Sequence, residues 1–363
     1  MKKINLFKIT FLLSCVISAS TSFAQGDVAE LLKSSPADAT KLANAYLSPL
    51  FTGFGIGLNS GWNNSADTKK VGRFEIRVSA SGAIVPTSAK TFDVTKIGLS
   101  SNVSVASGGN IAPTIGAGNN VSAPVLNVKD SGGNTLESFQ LPSGAGLPFI
   151  PGPQVQATVG LPKYIDVTLR LMPKTKIGDN IGEIGMFGGG VKVDVLRMLN
   201  KTAEKILPFS LAVAVGYTQF TYELGLDVQP PSGSVPKTAS DVKDFSTQKI
   251  SAKFSGTNVD AIISKNLLFF TPFFSVGYST SKTDVGLDGN YPIISSGVSG
   301  GGGTIIKQYS TFTDPISINQ TDVSGLHTNI GFKMNLTILK IFGSYSMAKY
   351  NSFNAGIGLG IGK

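Results

Sequence analysis

The chain carries few side chains able to make or break bonds. His327 is its only histidine and Cys15 its only cysteine. A Ser-His-Asp relay holds a histidine between nucleophile and carboxylate, and a His-based zinc site needs several such ligands. No Ser-centred nucleophile elbow lies near His327, so a lipase-type enzyme is only a third reading and a non-enzymatic protein is expected. The glycine run 300–303 is not followed by the Lys-Ser or Lys-Thr of a P-loop, and reads as a loop. Gly356, Gly358 and Gly360 alternate along a strand, where a phosphate cradle would need a helix N-terminus. No Asp/Asn series with a terminal Glu marks a calcium loop. No metal or cofactor is expected.

What remains is a set of charges that the strand pattern turns to one face: Arg73, Glu75, Arg77, Asp166, Arg170, Lys192, Asp194, His327 and Lys333. If that face lines a pore, these residues tune selectivity, and their basic excess favours anionic solutes. If it lines a closed interior, they pair with one another as a polar core. His327 shares the face with Asn329 and Lys333, which makes it a solvated or hydrogen-bonded residue before a pH sensor.

The elements that position them alternate with period two. Phe74, Ile76 and Val78 oppose Arg73, Glu75 and Arg77. Ile165, Val167, Leu169 and Leu171 oppose Asp166, Thr168 and Arg170. Further stretches around 154–161, 191–195, 209–218, 329–338 and 353–362 repeat the pattern, several over the 9–11 residues a tilted strand needs to cross a bilayer. The non-apolar face is mostly small residues with Asn, Gln, Thr and Ser, whereas a soluble sandwich turns a charge-rich face outward. Only 15% of residues are charged and mean hydropathy is +0.16, yet no stretch after the N-terminal segment is as long and apolar as a membrane-spanning helix. The excess of Lys+Arg (31) over Asp+Glu (22) is spread without a basic block, so no nucleic-acid partner is expected.

Compartment follows from the start. Lys2, Lys3 and Lys8 precede or flank an apolar run from Ile9 to Ile17, and Ser22-Phe23-Ala24 offers a small-x-small cleavage site. This is a secretory signal peptide, cut after Ala24, and it takes Cys15 with it. A lipoprotein reading of Leu12-Leu13-Ser14-Cys15 is weaker, because Leu13 is bulky for that site.

The organisation read from sequence is a signal peptide (1–24), an N-terminal helical and Gly-rich segment (25–70) and an outer-membrane β-barrel (71–363). The helical pattern covers 27–48, with Ser35 as cap and Pro36 at the first position. It is expected to stop before Pro49 and the run Gly53-Phe54-Gly55-Ile56-Gly57. It is either a surface helix leading into the barrel or a plug in or under its lumen. Short links are placed at Pro162-Lys163, near Asn266, around Lys340 and near Asn351. Long ones are placed at 105–148, 226–244 and 285–320, with 90–104 ambiguous and a helical turn within 196–207. Tyr164, Phe209, Phe245, Phe269, Phe270, Tyr350 and Phe353 are expected in interface girdles. The fold class is thus all-β, an antiparallel transmembrane barrel of about 10–12 strands with a short N-terminal helix.

Gly160-Leu161-Pro162 with Val167, Leu169, Arg170, Met172, Pro173, Lys174, Lys176, Ile177, Gly178 and Asp179 resembles an uncharacterised family of outer-membrane β-barrel proteins of Bacteroidetes-type bacteria. Leu207-Pro208-Phe209 with Val213, Gly216 and Tyr217 carries the same resemblance, as do Ala43, Tyr46, Pro49 and Gly61-Trp62-Asn63. The resemblance implies fold and location and transfers no functional residue. The terminal Ile361-Gly362-Lys363 departs from the aromatic ending of many barrels. The resulting expectation is an outer-membrane barrel, porin-like, that binds or passes a small-molecule solute, with outer-membrane lipid and the barrel-assembly machinery as partners. The alternative is a surface structural or interaction barrel with a closed lumen and partner-binding loops. A secreted β-sandwich is a further rival.

Overall fold

Alternation sustained over such lengths builds a sheet, and a computed structural model shows how that sheet closes. It describes residues 33–118, 120–130, 132–178, 182–200, 207–299 and 305–360. The expected signal peptide (1–24) and the glycine run at 300–303 lie outside the described residues. Ten antiparallel strands form one closed barrel. They are β1 (Phe74–Ile84), β2 (Phe149–Leu161), β3 (Ile165–Gly178), β4 (Gly182–Asp194), β5 (Ser210–Gly225), β6 (Lys249–Ser264), β7 (Phe270–Asp288), β8 (Ile316–Leu336), β9 (Leu339–Met347) and β10 (Ser352–Gly360). Each pairs with the next, and β10 returns to β1 in the register Glu75↔Gly360 to Ala83↔Ser352.

The alternation is resolved with its apolar side outward. On β5, Ala212, Ala214, Thr218 and Phe220 are buried while Val213, Val215 and Tyr217 are exposed. On β10, Phe353, Ile357 and Leu359 face out and Asn354 faces in. A sandwich would hide those apolar side chains, whereas a barrel in lipid presents them. Toward one end the belt stops at a row of exposed charges, Lys174, Glu183, Glu223, Lys249 and Asp288, linked by ion pairs of 3.1–3.7 Å. Such pairs add little stability; their meaning is that water begins there. Exposed aromatics flank the belt, with Phe74, Phe209 and Phe269 at one end and Phe149 against Phe353 at the other, ring centroids 5.6 Å apart. Two expected girdle members lie elsewhere. Phe245 packs on Tyr309 in the loop layer, and Tyr350 is buried with Ile56, Ala83 and Val323.

The links segregate by end. At the turn end lie 162–164, 195–209, 265–269 and 337–338; the second contains the short helix α2 (Val195–Leu199). At the loop end lie 85–148, 226–248 and 289–315, together with the short links after β3 and β9. The link expected around Lys340 is therefore at 337–338, and Lys340 belongs to β9. Residues 90–104 join the first long loop, which carries a two-stranded sheet (91–93 with 111–113) and a three-stranded one (103–107, 125–129, 135–140). The wall is uneven: β7 and β8 have 19 and 21 residues, β9 and β10 nine each. The long strands reach into the span expected to be the loop 285–320.

The helix α1 (Pro36–Asn59) lies inside the barrel, against β1, β2 and β5–β8. Ser35 caps it, its Oγ accepting from Asp38 N at 3.2 Å. The expected stop before Pro49 is overturned, for α1 runs through Pro49 and the glycines to Asn59. Pro49 has no N–H to give the carbonyl of Ala45; one residue on, the carbonyl of Tyr46 accepts from Ile115 N, 3.0 Å away in the first loop. The glycines serve close approach rather than termination. A Cβ on Gly53 would collide with Ile150 and one on Gly55 with Ser281, while at Gly57 the same atom would lie 3.7 Å from Gly152 Cα. At about 1.5 Å per residue α1 is about 36 Å long, comparable to a hydrocarbon core of about 30 Å.

Candidate functional site: the filled interior

Direction comes first. The N-terminal half of α1 is held by the long loops: Asp38 accepts from Ser100 N at 2.8 Å and from Ser100 Oγ at 2.6 Å, and Tyr46 Oη donates to Ser143 O at 2.9 Å. Beyond Asn59 the chain descends as irregular backbone, bent at Gly61, toward the turn end. There Ala66 N donates to Ser264 Oγ (2.9 Å) and Lys69 N to Asp166 Oδ1 (2.8 Å). The inner segment, α1 plus residues 60–70, thus enters at the loop end and leaves at the turn end, where β1 begins.

An irregular stretch inside a barrel has no ladder of its own, so its backbone groups need side-chain partners. The wall from β1 to β5 supplies them. Arg170 on β3 is fully buried and donates to Leu58 O (2.8 Å) and Ser60 O (2.6 Å), satisfying carbonyls where α1 ends. It also donates to Gln156 Oε1 (3.0 Å) and stacks 3.9 Å from the Trp62 ring. Arg77 donates to Trp62 O (2.8 Å), Gln154 Nε2 to Gly57 O (2.8 Å), and Lys192 to Asp67 O (2.7 Å) and Ser65 O (3.1 Å). Trp62 lies over glycines: a Cβ on Gly190 or Gly216 would come within 2.6 or 2.5 Å of its ring.

Near the turn end the charges form a network. Glu75, 1% exposed, receives Lys340 (2.6 Å), Lys69 (3.2 Å) and Arg77 (3.5 Å). Lys340 reaches it across β10, whose Gly358 and Gly360 leave the space; a Cβ at Gly360 would be 3.1 Å from Lys340 Nζ. Asp166 meets Lys192 at 3.3 Å. Arg197 on α2 bridges Asp194 (3.2 Å) and Asp67 (3.3 Å). Asp67 also accepts from Ser210 Oγ at 2.6 Å.

The wall from β6 to β9 is different. Here His327 Nε2 meets Asp260 Oδ1 at 2.8 Å, Asn258 donates to Asp260 (2.5 Å), Asn329 to Ser275 (2.8 Å), and Ser346 to Asn329. These groups bond mainly to one another. Between them and the inner segment lies a cavity of about 30 Å³ bordered by Asn59, Trp62, Ser279 and Ser344, room for about two water molecules.

Of the charges singled out from sequence, Glu75, Arg77, Asp166, Arg170, Lys192, Asp194 and His327 are buried in the interior and Lys333 is half-buried on the same side. Arg73 is exposed, one residue before β1, because the chain there still turns and Arg73 N bonds Lys70 O. Sequence reasoning missed Trp62, Asp67, Lys69, Asp260 and Lys340. The glycine face of β10 was the signal for Lys340, since a strand that small on one side makes room for something large. Among the described residues no group of three or more His, Cys, Asp or Glu could hold a metal ion, and no helix is long and apolar enough to cross a membrane, which says nothing of strands.

Solved structures overlap this chain only distantly. Two structures of the attachment invasion locus protein Ail of Yersinia pestis are 9% and 10% identical, each with a TM-score of 0.26, over 80% of this chain and 100% of that one. The translocator domain of autotransporter NalP from Neisseria meningitidis is 8% identical with a TM-score of 0.29, over 90% and 98%. The outer membrane transporter YddB from Escherichia coli is 8% identical with a TM-score of 0.29, over 80% and 41%. No curated protein matches. A model described as a family of unknown function, DUF6588, matches residues 1–361, and the chain belongs to that family.

Proposed function

We propose that this is a non-enzymatic outer-membrane barrel, closed along its axis in the resting state by its own inner segment, whose working surface is the folded loop face. The observation that supports it most is the bonding of Arg170, Arg77, Gln154 and Lys192 to the backbone of that segment. A pore-lining residue keeps its polar atoms for solvent and solute, whereas these are spent on the chain inside. Folded sheets on the longest loop, seated on the first half of α1, fit a platform for partners. Outer-membrane lipid around the belt and the assembly machinery that inserts barrels complete the partners this reading needs. Planar-bilayer recording tests it. The intact protein is expected to give no steady current and a variant lacking residues 36–70 to conduct; stable open-channel current from the intact protein would overturn the reading.

A second reading, gated passage of a small polar solute, is favoured by the cavity along the β6–β9 wall. A built Cβ at Gly57 lies 3.3 Å from Ser81 Oγ, so Gly57→Cys with Ser81→Cys can tie α1 to β1. Gated passage predicts liposome swelling that stops on oxidation and returns on reduction. Swelling indifferent to that bond would remove it.

A further inference from the structure

Strands β2 and β3 are joined by a three-residue turn, yet they pair only from Leu161↔Ile165 to Gln156↔Arg170. Above that, β2 continues to Phe149 and β3 to Gly178, and each finds its partners on the other side. The upper part of β2 pairs with β1 as far as Ile84↔Phe149, and the upper part of β3 with β4 as far as Gly178↔Gly182. The cause is in the sequence. Pro151 and Pro153 on β2 and Pro173 on β3 lack the N–H a ladder needs, so proline within a sheet is confined to edges. The register of β3 also shifts between Met172 and Thr175, bending it toward β4. Two prolines face one across an unzipped seam.

The opening has a defined height and backing. Its lower corner is at Val155 and Leu171; Leu171 is exposed on the lipid side beside Phe187, at the upper edge of the apolar belt. Behind it Gln154 and Arg170 are tied to the end of α1, and beside them lies an apolar cluster. Ile184, Met186, Phe220 and Leu58 belong to one buried cluster, and Met172 packs against it. At its lower corner, below the Lys174–Glu183 pair, the unpaired seam therefore joins the lipid-facing belt to apolar side chains inside, beside a route along the axis that α1 fills.

We propose that the seam between β2 and β3 is a lateral portal through which an alkyl chain dissolved in the surrounding membrane reaches the apolar upper interior. The ligand class is set by what the lower corner joins, the apolar belt at Leu171 and Phe187 outside and the cluster of Ile184, Met186 and Phe220 inside. The portal stands whether or not anything moves along the barrel axis.

A diazirine-bearing long-chain fatty acid, in vesicles containing the full mature protein, provides the probe, with labelled residues mapped by mass spectrometry. Labelling is expected on Met172 and Met186 as well as on outward residues such as Leu171. Val155→Cys with Leu171→Cys, oxidised, should close the corner of the seam and reduce the Met172 and Met186 labelling about tenfold, with recovery on reduction. Because that pair could misfold, Pro153→Thr with Pro173→Thr serves as a second variant, restoring two N–H groups and lowering interior labelling without a crosslink. A heat-shifted band on a gel confirms that each variant is folded. Labelling confined to outward residues, or interior labelling that neither variant changes, overturns the portal.

Discussion

The two halves of the barrel interior treat the same inner segment differently. From β1 to β5 the wall grips it with long side chains, Arg77, Gln154, Arg170 and Lys192, each reaching a backbone carbonyl. From β6 to β9 it is built of serines, Asn329 and the His327–Asp260 pair, bonded largely among themselves beside the cavity. A buried carbonyl left unpaired costs about 1–3 kcal/mol, so the first wall fixes where the segment lies. The second costs little to deform. The interior therefore has a holding side and a slack side, and any yielding of the segment should begin against the serines.

The sharpest way to break this comparison is Arg170→Ala. It strips the end of α1 of its donor and the Trp62 ring of its cation. A loss of about 3 kcal/mol or more is expected, read as a lower urea midpoint for conversion of the heat-sensitive band. Arg170→Lys keeps the charge but not the planar fork and should recover only part of the loss. If the alanine variant unfolds no earlier than a serine-wall variant, the holding side is not one.

Gly216→Val comes next. Its new Cβ meets the Trp62 ring, and overpacking of this kind costs about 1–3 kcal/mol. Tryptophan fluorescence is a clean readout, since Trp62 is the only tryptophan. An unchanged emission spectrum would mean the ring is not seated as described. The smallest effect belongs to the slack side. Ser279→Ala should shift stability by no more than about 0.5 kcal/mol, and a larger fall in the same urea titration would show that the serine wall also holds.

Much of the fold could be read in the chain because lipid and lumen impose opposite demands on alternate residues. Val213, Val215 and Tyr217 against Ala212, Ala214 and Thr218 leave one arrangement of the strand. The helix end was not legible. Pro49 and the glycines around Phe54 and Ile56 have the local chemistry of a stop, and only the closeness of Ile150 and Ser281 turns them into fitting surfaces. The interior charges were found by face, but their partners were not, because Lys69, Asp67 and Trp62 lie on a stretch with no periodicity. Arg73 shows the limit of the same rule: the alternation extends one residue past the point where the wall begins.

The path of the inner segment also constrains the order of assembly. It directly precedes β1, and the wall closes only when β10 meets β1, pairing residues as far apart as Glu75 and Gly360. Threading a folded α1 through a finished ring would drag its capped end past the grip of Arg170. The simpler course is that the last strand docks around a segment already laid in place. The earliest-made part of this barrel would then wait for the latest, and closure, a strand pairing between the two ends of the wall, should be the slow step.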